Sequence, residues 1–509
     1  MKKIVGIIAS ALLFTSLVSE ASSRRATADI PLTNGYYYRL AERAMSINPS
    51  EFYTDNVKPV SAREAEVLFN NSSEMQELFG RDQSTAYLSD KAMKYYNVDN
   101  LDTRGFDIEP LTHVSFKARF ISEEGMQSTN DFGEPMGDDL FARVSLGGSI
   151  YFGKNLSADY TFGVYNNSEE TKLEVERAKI KLAGKHNAYI GAIDNIQLGP
   201  GYFGQLMIGS NISPQKFAMI KSEIPYNWGF LGKFRFYIFN FWFDDEDRDN
   251  KDPMLLGLRL SLKPTSWLEM SLSRSSFYGG SNMPSYSLDD YWDLVTAKEE
   301  NSNSDWDSDQ FVGADLSVYL PFLKKTGFLQ GGKFYIEYNW NDLRAPWQDE
   351  DEGRNFKLLG SSYIYGLFFT TGKTDFRFEY VSVSALTYLQ HNYAPEGYSV
   401  EGYIAGHQIG RDNKGIFFEI YTELNDRIHP YFKASFIEKN KSALNNNKQK
   451  EQQYTLGAEM FFGKNIEADA FVRLIKQDKE DLDDRIFYYN FAGDSEENYI
   501  VGMDLKYYF

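Results

Sequence analysis

The sequence predicts an all-β protein, a transmembrane antiparallel β-barrel of about 18 strands behind an N-terminal α-helical segment. Three observations carry the prediction. First, the chain ends in a strand with unlike faces: Tyr499, Val501, Met503, Leu505, Tyr507 and Phe509 alternate with Asn498, Ile500, Gly502, Asp504, Lys506 and Tyr508. Successive strand side chains point to opposite faces, so one face is apolar throughout and the other mostly polar, which suits a wall between lipid and water. Second, the same two-residue period runs from about Leu111 onward. Third, aromatic residues make up 16% of the chain although its mean hydropathy is −0.46. Rings at two membrane interfaces, with a polar lumen and polar loops, produce that combination. A pair of soluble β-sandwiches is the rival, and the terminal aromatic, the signal peptide and the lipid-suited faces argue against it.

The N-terminus agrees with export. Met1-Lys2-Lys3 is basic, residues 4–18 are apolar, and Ser19-Glu20-Ala21 supplies small residues at the −3 and −1 positions of a cleavage site. Residues 1–21 therefore read as a secretory signal peptide, too short in its apolar part for the ~20 residues that span a bilayer. Removing it takes the net charge from −19 to −20. Residues 22–110 read as a periplasmic helical segment. Tyr37, Leu40, Ala41, Ala44 and Met45 form one helical stripe, and Ser61-Ala-Arg-Glu64 is a capping box opening a helix with Ala65, Leu68 and Phe69. Further helices are expected after Ser72 or Ser73 and around Leu88–Tyr96. Each is too short to stand alone. They are expected to pack on one another and on the periplasmic rim of the barrel, in preference to plugging its lumen.

The barrel is expected over 111–509. Its strand candidates are 111–121, 140–152, 155–166, 171–182, 186–193, 204–210, 216–222, 232–243, 254–263, 267–276, 310–320, 332–343, 358–371, 374–385, 401–410, 414–424, 428–438, 453–463, 466–476 and 498–509. Bacterial barrels have even strand numbers, and two short candidates are the weakest, hence about 18. Turns such as Gly153-Lys154-Asn155, Gly372-Lys373 and Gly463-Lys464-Asn465 carry hairpin chemistry and should face the periplasm. The long connectors 122–139, 244–253, 278–309, 345–357, 439–452 and 477–498 should face outward, most of them acidic, as in Asp244-Asp-Glu-Asp247 and Asp349-Glu-Asp-Glu352.

Several chemistries are excluded. There is no cysteine, so neither disulfides nor thiolate ligands occur. The acidic balance argues against a nucleic-acid partner. No nucleophile elbow, zinc-protease helix or phosphate-cradling loop is present, so no enzyme is expected and no cofactor. Asp245, Asp247 and Asp249 have three EF-hand spacings but lack the turn glycine and the closing glutamate, so no metal site is expected.

Two segments break the strand grammar. In 189–211, Gly199-Pro200-Gly201 and Gly204 interrupt the period; glycine admits close backbone approach, and proline cannot donate to a ladder. Residues 388–415 combine tyrosines, His391, His407 and five glycines. These segments read either as bulged strands with an inward-folded loop or as a constriction or saccharide surface, where rings stack on sugars and amides match hydroxyls. The candidate polysaccharide-binding residues are Tyr202, Gln205, Asn211, His391, Tyr393, Tyr398, Tyr403, His407, Gln408 and Arg411, with Gly199, Pro200, Gly201, Gly406, Gly410 and Asp412 as structural motif residues.

Here the chain resembles a known family, the Wzi-type capsule-assembly proteins of the outer membrane. The resemblance lies in Ile30-Pro-Leu-Thr-Asn-Gly-Tyr-Tyr-Tyr-Arg-Leu40 with Pro59-Val-Ser-Ala-Arg-Glu-Ala65, in Leu198-Gly-Pro-Gly-Tyr-Phe-Gly-Gln-Leu-Met-Ile-Gly-Ser-Asn211, and in Gly406-His-Gln-Ile-Gly-Arg-Asp412. The chain departs from the pattern at Gln197-Leu198, where tryptophan is common, and at Arg411, where proline is usual. The resemblance implies an 18-stranded barrel with periplasmic helices that holds capsular polysaccharide as a lectin. The expected partners are surface or capsular polysaccharide, outer-membrane lipid and lipopolysaccharide, and the barrel-insertion machinery, which reads a terminal aromatic such as Phe509. A passive porin, with lumen charges setting selectivity, is the alternative.

Overall fold

The computed structural model describes residues 28–69, 105–122, 131–134, 139–153, 155–167, 170–184, 186–245, 248–281, 309–344, 357–389, 396–441, 449–477 and 497–509, with single positions 283, 291, 294 and 393. The signal peptide, the helices expected after residue 70, His391 and the acidic stretch 349–352 lie outside the described residues. Among those described, no helix is long and apolar enough to cross a membrane.

Eighteen antiparallel strands close into a barrel. They are β1 (Phe106–Ile121), β2 (Asp139–Phe152), β3 (Leu156–Asn166), β4 (Thr171–Ala183), β5 (Asn187–Asp194), β6 (Gln215–Ser222), β7 (Lys233–Trp242), β8 (Met254–Thr265), β9 (Leu268–Tyr278), β10 (Asp309–Tyr319), β11 (Gly331–Trp340), β12 (Ser362–Thr370), β13 (Thr374–Ser382), β14 (Lys414–Thr422), β15 (Ile428–Lys439), β16 (Gln449–Phe462), β17 (Ile466–Gln477) and β18 (Glu497–Tyr508). Each pairs with the next, and β18 returns to β1, with Val501 opposite Phe120, so no edge is left open. Side-chain alternation behaves as the sequence indicates. On β18, Tyr499, Val501, Met503, Leu505 and Tyr507 project outward, each between 39% and 46% exposed. On β11, Tyr335, Glu337 and Asn339 are buried inside while Phe334, Ile336 and Tyr338 line the outer face.

Three expectations need correction. The wall begins at Phe106 rather than at 111, because a bulge between Glu109 and His113 lets β1 keep its pairing to β2 through five more residues of a broken alternation. The candidates 204–210 and 401–410 are not wall strands. Asn187 pairs with Ser222 and Asp194 with Gln215, so β5 abuts β6 and the whole of 195–214 is an excursion from the wall. Likewise Ser382 pairs with Lys414, leaving 383–413 as an excursion between β13 and β14. Both enter the lumen, where Gln197–Leu198, Ser399–Val400 and Tyr403–Ile404 form only two-residue pairings.

The third correction concerns the N-terminal helices. The two described ones are inside the barrel mouth at its short-turn end, not on its rim. Helix α1 (Gly35–Ile47) buries every residue except Gly35, including Arg39, Glu42 and Arg43. Such burial is tolerable only because inward strand residues neutralise each charge. Arg43 Nε lies 2.8 Å from Asp375, Arg39 Nη2 lies 3.0 Å from Glu419, Glu42 pairs with Arg377, and Lys333 Nζ is 2.6 Å from Asp55. Asp29 is clasped between Lys181 at 2.7 Å and Lys179 at 3.0 Å. The capping box forms: the Glu64 amide donates to Ser61 Oγ (3.1 Å) and the Ser61 amide to Glu64 Oε2 (2.8 Å), opening α2 (Ala62–Phe69). The same Glu64 carboxylate accepts from Lys221 of β6 at 3.0 Å and from Arg235 of β7. Burial alone would raise its pKa, but Lys221, Arg235, Lys181 and the Ser61 amide outweigh that and hold it at about 2.

Glu64 therefore joins a helix cap to the barrel wall. Glu64→Ala is expected to take from buried Arg235 its carboxylate partner and leave Lys221 only the more distant Glu223 at 3.9 Å, a loss of about 3–5 kcal/mol. In detergent the variant should show a lower urea midpoint for unfolding, whereas the half-exposed Lys216–Asp244 pair should yield less than about 1 kcal/mol when broken. Equal midpoints for the two variants would refute the docking role.

Candidate functional site

The two excursions meet the N-terminal segment in mid-lumen, and inward carboxylates of the wall hold them there. Glu379 of β13 accepts the amides of Tyr202 and Phe203 and the hydroxyl of Tyr335; Glu337 of β11 accepts the Leu206 amide at 2.7 Å. Gly199 has φ +140, and a Cβ there would collide with the Glu337 carboxylate, so only glycine passes this point. Its amide donates to Asn56 at 2.9 Å, and Gln197–Leu198 pairs with Val57–Lys58 of the N-terminal segment. On the other side, Tyr388 and Tyr398 stack at 5.7 Å and donate their hydroxyls to the carbonyls of Leu206 and Met207. The result is an apolar core within the lumen, where Ile196, Leu206, Ile208 and Ile212 pack with inward rings such as Phe239, Phe277 and Phe311.

The expected site residues divide accordingly. Gln205, Asn211, Tyr393, Tyr398 and His407 are buried within the packing of the lumen. Asn211 Nδ2 donates to the Ile404 carbonyl, Gln205 Nε2 to the Gly201 carbonyl, and Tyr393 meets Phe277 edge-on at 4.5 Å. Pro200 and Gly201 lie in the same buried turn, and Gly406 gives room to the Tyr388 phenol. Gly410 (φ +68) and Asp412 (φ +58) shape the return toward β14. Tyr403 and Arg411 are half-buried, and the Tyr403 hydroxyl donates to the Glu134 carbonyl at 3.0 Å. That contact belongs to a further inward piece, Asp131–Glu134, whose Glu134 pairs with Lys117 and Arg143.

Two expected residues, Tyr202 and Gln408, face open space. They line a cavity of about 210 Å³ together with Phe203, Phe417, Lys433, Ser435, Gln453, Thr455, Arg473 and Asp131. Its wall consists of two adjacent rungs of the barrel: Phe417, Ser435 and Gln453 on one, Lys433, Thr455 and Arg473 on the next. Phe203 stacks on Phe417 at 5.1 Å and 26°. Arg473 holds Asp131 at 3.3 Å and donates to Thr455. Rings beside hydroxyls, amides and paired charges make a surface able to hold a sugar ring by stacking and hydrogen bonding. The wall residues are absent from the candidates read from the sequence, although strand alternation marks all of them as inward. A second cavity of about 240 Å³ is lined by residues 31–35, by β1–β5 and by β16–β18; its lining includes Glu459, Glu467, Asp469 and Asp504.

His407 anchors the second excursion. Its amide donates to the Tyr388 hydroxyl, Nδ1 accepts the Ile409 amide at 3.2 Å, and Nε2 has no hydrogen-bond partner among the described residues. The ring fits against Gly204, whose absent Cβ would lie 2.9 Å from it, and edge-on to Phe417. No charge compensates, and burial alone lowers its pKa to about 3. An unfolded histidine titrates near 6.5, so the unfolded chain binds the extra proton and stability falls as pH drops from about 6.5 toward 3. The slope is about 1.4 kcal/mol per pH unit. The stability difference between wild type and His407→Gln should shift by about 2 kcal/mol between pH 7 and pH 5, in the sense that wild type loses more. Parallel pH profiles from urea titration would show that His407 does not titrate on unfolding.

The comparisons with known proteins agree with this architecture. No curated protein matches the sequence at a significant level. The Escherichia coli Wzi structure, an outer-membrane protein involved in group 1 capsule assembly and described as a carbohydrate-binding β-barrel, superposes with TM-score 0.68 at 13% identity, over 95% of this chain and 99% of that one. The Pseudomonas aeruginosa barrels OprD (TM-score 0.46, 9% identity, 80% of this chain and 96% of that one) and OpdQ (0.45, 11%, 80% and 98%) also match. The model of the family described as capsule assembly protein Wzi matches residues 117–486. With its closed barrel and its lumen filled from both ends, the chain belongs to the Wzi family of capsule assembly proteins.

Proposed function

We propose that this outer-membrane barrel binds surface or capsular polysaccharide and anchors it to the cell, assisting capsule assembly without catalysis. The short turns and the N-terminal segment then face the periplasm, and the long connectors face outward. The observation that carries the reading is the filled lumen: the N-terminal segment, 195–214 and 383–413 stack across it and bind one another. Eighteen strands would otherwise enclose an aqueous channel, so a passive porin gains no support from the described residues. Trp228, Phe230 and Trp267, exposed at the short-turn end, suit contact with the lipid interface. Lipopolysaccharide and the barrel-insertion machinery complete the partners.

Deleting the gene should leave total polysaccharide unchanged while the share on washed cells falls and the share in the medium rises. The purified protein in a planar bilayer should conduct far less than an open porin of the same strand number. Unchanged retention combined with open-porin conductance would replace this reading with the channel.

A further inference from the structure

We infer that the cavity beside Lys433 takes an acidic sugar unit, a carboxylate-bearing ring of the polysaccharide. The inference rests on the polysaccharide-anchoring reading above and names the class of ring. Lys433 points into the lumen from β15, and its side chain remains 39% exposed. Its ammonium lies 3.7 Å from Glu419 and makes no hydrogen bond among the described residues. Glu419 already accepts from both Arg39 guanidinium nitrogens, at 3.0 and 3.1 Å, and from the Tyr202 hydroxyl at 3.0 Å, with Arg377 Nε at 3.6 Å. Lys433 thus keeps hydrogen-bond donors aimed at the cavity, beside a carboxylate that other cations have largely satisfied.

The surrounding groups fit one ring. Phe203, half-buried on Phe417, offers an aromatic face to the same cavity. Gln408 brings a side-chain amide, both donor and acceptor for sugar hydroxyls, to the same lining. Asp131 would repel an acid, but Arg473 matches its charge. A ring carboxylate on Lys433, a hydroxyl on Gln408 and a ring face on Phe203 would satisfy all three groups together. A neutral ring would displace water from the ammonium and return only weaker, neutral-acceptor hydrogen bonds. The position also answers a charge problem. A chain of net charge −19 repels an acidic polymer, so a site for one needs a local cation.

The test uses the surface polysaccharide of the bacterium that makes the protein, native and after chemical reduction of its carboxyl groups, titrated calorimetrically against the detergent-purified barrel. The native form should bind at least about tenfold more tightly than the reduced form. Lys433→Gln should bring native binding down to the reduced level, Lys433→Arg should keep most of it, and Phe203→Ala should weaken both forms. Heat-modifiable mobility on gels reports whether each variant is folded, and the native-against-reduced ratio needs no variant. Equal binding of the two forms, a polysaccharide without carboxylates, or a folded Lys433→Gln variant that binds like wild type overturns the inference. If cells lacking the protein still lose polysaccharide to the medium, the anchoring reading survives that outcome; if retention does not depend on the protein, both fail.

Discussion

Everything in this molecule follows from the width of the barrel. A ring of eight strands can be filled by its own side chains, but one of eighteen cannot. The chain therefore has to bring backbone into the lumen, and each inserted peptide group then needs a partner away from bulk water. That demand explains the inward carboxylates at mid-height. Glu379 and Glu337 serve as fixed acceptors for the amides of Tyr202, Phe203 and Leu206, which have no sheet neighbour. It also explains the small residues: Gly199 passes Glu337 and Gly204 passes His407 where a side chain would not fit.

The charges obey a companion rule. Arg39, Glu42 and Arg43 make α1 as polar as a surface helix, yet it is enclosed. It is stable there because the wall offers the reciprocal set, Asp375, Arg377, Glu419 and Glu423, so that acid meets base along the whole contact. Buried pairs of this kind contribute modestly to net stability but penalise any misplacement by several kcal/mol. The N-terminal segment is therefore held in one register more than it is held tightly.

The wall was legible in the sequence because alternation is local. Tyr335, Glu337 and Asn339 against Phe334, Ile336 and Tyr338 can be assigned without knowing any partner. The contents of the lumen were not legible, for two physical reasons. Residues 204–210 and 401–410 carry strand-forming residues such as Leu206, Ile208, Tyr403 and Ile404, and although their glycines mark the segments as irregular, nothing local says whether the backbone stays in the wall. The charges of α1 read equally well as solvated or as matched, since partners such as Asp375, Arg377 and Glu419 lie more than 330 residues away. The capping box at Ser61 was readable because both its residues are adjacent. The role of Glu64 toward Lys221 and Arg235 was not.

The candidate site shows the same division. The two unusual segments were recognised by their glycines and rings, but most of their polar groups serve packing. The cavity arises where that packing stops. On the β5–β13 side the excursions fill the lumen with apolar contacts, whereas toward β14–β17 the filling ends at Phe203 and Gln408 and faces Lys433, Ser435 and Thr455 across a gap. The ion network of α1 also ends there: Arg39 and Tyr202 take up the oxygens of Glu419, and the next cation on the wall is left with a charge neighbour but no hydrogen bond. A molecule built only for stability could have closed this seam with one more ring, as it does at Phe277 and Tyr393. The open seam places unsatisfied donors and acceptors against an aromatic face, which is the arrangement a polar, ring-shaped ligand completes.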